Sequence, residues 1–507
     1  MASSEQARVL SLRYARPVAR FLVERHWLVK IAICCAIAVY IGLMSLVIDL
    51  DLVHVPMVLV WGTTLVVLLT IVAMVKLNGA DLFSVEVVWL LALFYFHFAT
   101  LFMPVEVVNR RIGITGRDVL LVSLGVCAGA AGVLLGRNKK EIAVRKVATG
   151  VEDWVIPPFH VGTALMVVGW ALFLVFLMWW GPGRFFAKYG YEFMKEEGLM
   201  PKFYSLANAL WPLGIGLLRL AQLHWKEREV PRRWLATVVS APVWLIYLVL
   251  GDRDRLISLL VPWFWPRHIR KPYSARTQVT LIVAGLILVG ALGVLRIAGI
   301  GGINKALSLT SILRAGGHIR ACSITFHEVP EREEHLYGLS YFYAVVSRSI
   351  PLIGRWLVPH DAPLSARAPA VWATLRGSGL LVPQDLHARG IGWGFSQIAE
   401  AYLNFGTIGI VVMLFAAGVL MARIHVWLKR YVNGLWEILL LFAASRLWYA
   451  TRQDLDSAIG FSVFQALVVA GVALIATRAK RTSVRRVVAP VDNGAEAQRH
   501  TDRAPRP

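Results

Sequence analysis

Charge is scarce in this chain, and negative charge scarcest. Only 17% of 507 residues are charged, and 31 Asp and Glu stand against 53 Lys and Arg. With 57% of the residues hydrophobic, a soluble protein could not bury so much apolar surface, whereas a bilayer requires it to be exposed. Cysteine is also rare, four in all. Cys34, Cys35 and Cys127 lie in apolar runs and Cys322 is alone in the longest polar stretch, a spacing that excludes a disulfide framework or a cysteine-based metal site. A cleavable-signal pattern is absent as well: Met1 to Lys30 is an Arg-bearing tail leading into a full-length apolar run. The lack of an internal repeat argues against an inverted-repeat transporter.

What is present is a series of long apolar runs from Leu28 to Ala479, separated by short polar punctuation. The chain is expected to be an all-α polytopic membrane protein with about twelve transmembrane helices, since each crossing takes about 20 apolar residues. These are expected near 28–50, 52–76, 83–103, 118–136, 160–180, 206–224, 234–251, 254–266, 278–299, 395–422, 434–452 and 459–478. The eighth, "RLISLLVPWFWP", is short for a span and is read as tilted, thinned or partly re-entrant.

The net charge of +22 is concentrated in both tails and in alternate short loops, "RNKKEIAVRK" at 137, "KEREVPRR" at 226, "RHIRKPYSAR" at 267 and "RIHVWLKR" at 423. This is the positive-inside pattern, a topology signal, and it removes the reason to invoke nucleic acid. A multi-pass membrane protein with both termini cytoplasmic is expected. Residues 1–27 form a cytoplasmic basic tail, 28–299 helices one to nine, 300–394 one long external loop, 395–478 helices ten to twelve, and 479–507 a disordered cytoplasmic tail.

A loop of this length exceeds the usual connection and is often functional. Within it, "HLYGLSYFYAVVSRSIPLIGRWLVP" has near-helical apolar spacing and reads as an interfacial helix lying over the membrane. "PHDAPLSARAPA" follows as a turn or connector.

Polar groups gather where this loop meets the membrane. Ser396, Glu400 and Asn404 are spaced four apart and share one helix face, with Tyr402 beside them. An ionisable group at that depth is normally turned toward a protein interior or a water-filled cavity. The eleventh segment carries Arg446, Tyr449 and Arg452 toward its external end, and the "GDRDR" stretch places Arg253 and Arg255 on the same side. The loop adds His318, Arg320, Arg348, Arg376 and His387. Guanidinium groups bind phosphate oxygens through a planar fork, which suits a pyrophosphate whose lipid chain stays in the bilayer. Glu400 could take a proton from a sugar hydroxyl or hold Arg446 in an ion pair. Arg253 and Arg255, flanked by Asp252 and Asp254, also read as a solvated turn, Tyr402 and Trp448 as interfacial belt aromatics, and most loop histidines as surface residues. Ser396 reads as a helix N-terminal hydroxyl, because the sequence positions no companion His and Asp. Three D-x-D triplets, at 49–51, 252–254 and 454–456, are too short to indicate a metal site, and no metal or cofactor is expected.

The block "GWGFSQIAEAYLNFGTIGIVVMLFAAGVL" resembles the segment following the long external loop in Wzy-type O-antigen and oligosaccharide repeat-unit polymerases. "GDRDRLISLLVPWF" is similar to that family's Gly-x-Arg stretch before a short apolar segment, and "GLSYFYAVVSRSIPLIGRWLVP" to its loop helix. The resemblance implies a GT-C-like fold and an inverting, metal-independent glycosyltransferase of the bacterial cytoplasmic (inner) membrane. Such an enzyme moves a growing glycan from undecaprenyl pyrophosphate onto another lipid-linked unit, beside a chain-length regulator and a flippase of the same pathway. It places Arg253 in a pyrophosphate clamp and Glu400, Tyr402 and Asn404 in the signature helix. "WLVPHDAPLS" departs from the pattern, lacking a lysine before its proline, which bears on acceptor contacts. The expected assignment is Glu400 and His318 to catalysis, with Arg253, Arg255, Arg320, Arg348, Tyr402, Asn404, Arg446, Tyr449 and Arg452 binding pyrophosphate or glycan. An O-antigen ligase, another GT-C transferase, and a lipid-linked oligosaccharide flippase are the competing readings.

Overall fold

The computed structural model describes residues 27–46, 55–103, 114–137, 158–185, 199–224, 234–250, 253–298, 308–314, 316–349, 357–359, 361–379, 395–430, 435–451, 465–468 and 471. Among these every regular element is helical, with no strand. In chain order the helices are α1 (Trp27–Leu46), α2 (Val55–Asn78), α3 (Val85–Phe98), α4 (Gly116–Gly136), α5 (Pro158–Trp180), α6 (Leu199–His224), α7 (Trp234–Val249), α8 (Arg253–Arg270) and α9 (Ala275–Ala298). Then follow α10 (Leu309–Arg314), α11 (Ile319–Arg332), α12 (Leu339–Ser349), α13 (Pro369–Ser378), α14 (Gln397–Arg430) and α15 (Leu435–Ala450).

Seven of the described helices are long and apolar enough to cross a membrane: α1, α2, α3 with its 3-10 extension, α4, α5, α6 and α14. Shorter apolar helices occur at Thr237–Val249, Ala275–Leu288 and Leu439–Ala450, over the seventh, ninth and eleventh expected spans. The eighth expected span lies inside α8, which carries Pro262 and Pro266 and ends in Arg267, His268 and Arg270. The twelfth expected span falls almost wholly outside the described residues, as do residues 1–26 and the tail from 479.

Two cores organise the bundle. The larger gathers α2, α3, α4, α11 and α14 around Trp89, Leu93, Val122, Phe326, Ile398 and Leu414. The smaller joins α5, α6, α7 and α8 through Phe173, Phe176, Tyr204, Trp211 and Tyr247. Outward faces of α1, α2 and α5 expose Leu43, Trp61, Leu65, Val167 and Met178, as expected of surface that meets lipid rather than water.

Among the described helices the α4–α14 pair packs most extensively, and its closeness depends on missing side chains. A Cβ on Gly132 would overlap the carbonyl of Phe415, and one on Gly418 would overlap that of Gly129. Small residues at helix interfaces let backbones approach where lipid removes the hydrophobic incentive to associate. At one end of this core Arg137 pairs with Glu86, both fully buried. His425 lies 3.4 Å from the same carboxylate, and Lys30 donates to the Arg137 carbonyl at 2.5 Å. Separating either charge of a buried pair costs about 3–5 kcal/mol, so this cluster fixes α3, α4 and α14 in register at the end opposite the long segment.

Candidate active site

α14 does not run as one helix. Gly406 has φ 64 and ψ −153, a backbone region that is essentially glycine-only. The expected span at 395–422 is therefore a short helix, 397–405, followed across a break by a long one reaching Arg430. In an unbroken helix the carbonyls of Leu403 and Asn404 would accept from the N–H groups four residues on. Here they accept instead from Leu336 N at 3.0 Å and Tyr337 N at 2.9 Å.

Residues 336–340 thus form a strap laid across the break. Tyr337 (φ 49) and Gly338 (φ 92) both take left-handed backbone, a conformation uncommon for a tyrosine, and so turn the chain onto α14. Side chains finish the attachment. Asn404 Oδ1 accepts from Gly338 N at 3.0 Å, while its Nδ2 donates to Ser340 Oγ at 2.8 Å and to the Glu400 carbonyl at 2.9 Å. Ser340 Oγ in turn donates to Glu400 Oε1 at 3.2 Å. Ser340, Glu400 and Asn404 are all fully buried, and a buried polar chain of this kind stabilises only when every member is satisfied.

Tyr402, on the opposite face of the short helix, is buried with its ring edge-on to Phe326 (4.8 Å) and His335 (5.6 Å). It faces protein, which excludes the belt-aromatic reading. His335 also stands where a side chain on Gly406 would go, since a Cβ there would lie 3.2 Å from its Nε2.

The short helix is anchored at its start by Ser396, whose Oγ accepts from Ile398 N at 3.0 Å. His97 Nδ1 lies 2.7 Å from the Leu93 carbonyl, so that nitrogen carries the proton and Nε2 accepts from Ser396 Oγ at 2.6 Å. Cys322 Sγ donates to the same oxygen at 3.4 Å. Burial pushes the Cys322 thiol up to about 12, so it remains a thiol and a weak donor. All three groups are buried, and together they join α3, α11 and α14. A serine beside a histidine invites a nucleophile reading, but this hydroxyl caps a helix. Replacing Ser396 with Ala is expected to lower stability by about 0.5–2 kcal/mol, the usual worth of an N-cap, measured by thermal unfolding in detergent. Activity should fall no more than stability explains; complete loss of activity in a stably folded variant would restore the nucleophile.

The long segment is held at a third point. Thr115 and Asp118 form a capping box at the start of α4, and Asp118 Oδ2 accepts from Ser323 Oγ at 3.0 Å with His327 Nε2 at 3.4 Å. The box is visible in the sequence as "TGRD" ahead of an apolar run. His97, Gly338 and Ser340 carry no comparable local signal, because the partners that tie them to α14 and its cap lie at least 60 residues away.

The other expected site residues do not all join this cluster. His318 is buried just before α11, its backbone N–H donating to the Phe96 carbonyl at 3.1 Å and its ring edge-on to Phe96. Arg320 is half-buried in the first turn of α11. Arg446 and Tyr449 are half-buried on α15, which meets the start of α14 where Gln397 Nε2 donates to the Leu447 carbonyl at 2.8 Å. Arg255 belongs to the other core, bonded to the Tyr204 hydroxyl with its guanidinium 4.6 Å over that ring. Arg253 opens α8 and Arg348 lies on α12, with side chains outside the described set; Arg452, His387 and the triplets at 49–51 and 454–456 lie outside it altogether. Among the described residues no group of three or more His, Cys, Asp or Glu could hold a metal ion.

Between α3, α8 and α9 lies a cavity of about 520 Å³ lined by Phe94, Tyr95, Phe264, Trp265, Leu281 and Trp448. It touches the polar cluster's supports, since Phe96 contacts both the cavity and His318.

Residues 381–481 match the family of O-antigen polysaccharide polymerase Wzy. The Wzy match contains all of α14 and α15, hence the short helix, the Gly406 break, Glu400, Tyr402, Asn404, Arg446 and Tyr449. Its partners on the strap, α3 and α11 precede the matched region. No curated protein and no solved structure matches the chain.

Proposed function

We propose that this protein polymerises lipid-linked oligosaccharide repeat units into a surface polysaccharide. It would act by inverting glycosyl transfer at the outer face of a bacterial cytoplasmic membrane, with the segment 300–394 on that face. The observation that carries the reading is the coincidence of the Wzy match with the broken helix and its strapped polar face. A helix interrupted at the edge of a membrane is tolerated where its backbone is buried in protein or lines a cavity, and here the long segment buries it.

In this reading an acceptor hydroxyl attacks the anomeric carbon of a glycan on undecaprenyl pyrophosphate, and the bond to the pyrophosphate oxygen breaks. Negative charge then builds on the leaving group, and fixed cations lower the barrier. We assign that role to Arg253 and Arg255, with Arg320, Arg348, Arg446 and Arg452 as the other cations of the site. Tyr204 supports Arg255 by holding its guanidinium over a ring face. Tyr449 is assigned to glycan contact, and Tyr402 and Asn404 to holding the strap. His318 is assigned to the acceptor proton, and Glu400 to positioning through Ser340. The apolar cavity beside α3 offers a seat for part of the polyprenyl chain. A chain-length regulator and a flippase of the same pathway are the protein partners expected.

Purified protein mixed in detergent with lipid-linked repeat units should yield a ladder of longer glycans. A flippase makes none without two compartments, and a ligase transfers without extending. Arg255→Ala should slow the ladder about tenfold, equivalent to about 1.4 kcal/mol of transition-state stabilisation. A native protein that forms no ladder, or a variant with an unchanged rate, would count against the function and the clamp respectively.

A further inference from the structure

A second cavity, of about 810 Å³, opens within the long segment between the strap and α13. Its wall sets the rings of His335, Tyr337 and Trp372 beside Glu333, Glu334 and Arg376. Several of these groups are already oriented. Glu333 Oε1 accepts from Trp372 Nε1 at 2.7 Å and from Arg376 Nη2 at 3.1 Å, and Arg376 also approaches Glu328 at 3.7 Å. Two polar atoms on the wall are left over. Ser365 is only 1% exposed, and among the described residues neither its hydroxyl nor His335 Nδ1 has a hydrogen-bond partner. Folded proteins seldom leave buried polar groups unpaired without a reason.

The cavity's charge is also unusual for this chain. In a protein of net charge +22, four carboxylates crowd residues 328–334 against Arg332 and Arg376. Glu334 is exposed and has no partner among the described residues.

We propose that this cleft binds an oligosaccharide segment of neutral or amino-substituted sugars and turns away acidic ones. A sugar ring offers an apolar face to an aromatic side chain and hydroxyl edges to fixed polar groups, the mix that small-molecule sites use for affinity and orientation. Ser365 Oγ and His335 Nδ1 would pair with those hydroxyls. Glu334, with no cation paired to it among the described residues, repels a uronate and attracts an ammonium, a discrimination built on repulsion as much as attraction. The inference rests on the polymerase reading for the presence of a glycan at this face, and it names the class of sugar.

Saturation-transfer NMR on the full-length protein in detergent tests it, with three probes: a glucose trisaccharide, a glucosamine trisaccharide and a trigalacturonate. Transfer is expected to the first two, with the acidic probe about tenfold weaker. Trp372→Ala should abolish transfer, and Glu334→Lys, at an exposed position that leaves the fold alone, should reverse the charge preference. Transfer to none of the probes, equal transfer to all three, or a preference unmoved by Glu334→Lys would overturn the proposal. In the polymerisation assay, a Trp372→Ala increase in KM for a lipid-free acceptor marks the acceptor's glycan as the occupant, and one for the lipid-linked donor marks the donor's. Binding is read here without turnover. Intact binding with no ladder would strike the polymerase reading alone, and a ladder without binding would strike this one alone.

Discussion

Gly406→Ala is expected to reduce polymer formation about a hundredfold while leaving the protein inserted in the membrane. Two effects act together. The φ 64, ψ −153 backbone is closed to a residue with a Cβ, at a strain of about 1–3 kcal/mol, and the new methyl would press on the His335 ring at 3.2–3.3 Å. The chain can relieve both by letting the helix run through, but the carbonyls of Leu403 and Asn404 would then return to α14 and release Leu336 and Tyr337. The strap would leave, and displacing catalytic groups by about 1 Å is enough to lose about a hundredfold in rate. The ladder assay measures the loss, and protease accessibility of the segment 333–340 reports the release. Native rates with native protection would show that the break is dispensable.

Asn404→Ala is expected to do comparable damage from the other side of the same contact. It leaves the Gly338 N–H without its acceptor and removes the donor to Ser340 and to the Glu400 carbonyl. Each buried polar group so abandoned costs about 1–3 kcal/mol, and we expect a loss of stability of that order with a polymerisation rate near one hundredth of native. Glu400 supplies the discriminating pair. Glutamine keeps an oxygen for Ser340 to donate to, whereas alanine does not. If Glu400 positions the strap, Glu400→Gln retains most activity and Glu400→Ala behaves like Asn404→Ala. Should the glutamine variant fold normally and still be inactive, with the pH dependence of kcat altered, the carboxylate handles a proton and the positioning role is wrong.

The contrast between these residues shows what could be read from sequence. The shared face of Ser396, Glu400 and Asn404 follows from a period of 3.6, and the structure keeps all three in the larger core's polar cluster. The break at Gly406 could not be read the same way, because "NFGTIG" inside an apolar run is equally compatible with a continuous helix containing tolerated glycines. What decides it is His335 and the strap, more than 60 residues earlier in the chain. The same limit applies to His97, which looks like one polar residue in an aromatic run until the fold brings it 2.6 Å from Ser396. Arg255 shows a further case: charge asymmetry gives an expectation for its side of the membrane, but nothing in a short window gives its attachment to Tyr204 in a separate core. Local periodicity and charge asymmetry are encoded in short windows, while the pairing of polar groups across the bundle depends on which helices touch.

The close approach of α4 and α14 has a bearing on how such a protein could diversify. With Gly132 and Gly418 set against opposing backbone carbonyls, that seam has no room at these two positions for any side chain, so neither can be exchanged to retune it. Novelty has to accumulate elsewhere, and the segment carrying the strap and the 810 Å³ cleft is joined to the seam mainly through main-chain bonds and a few buried side chains. Lineages meeting a new polysaccharide could therefore rewrite the residues facing that cleft while inheriting the keel beneath it unaltered, so that kin building different coats would look alike along the glycines and unlike above them.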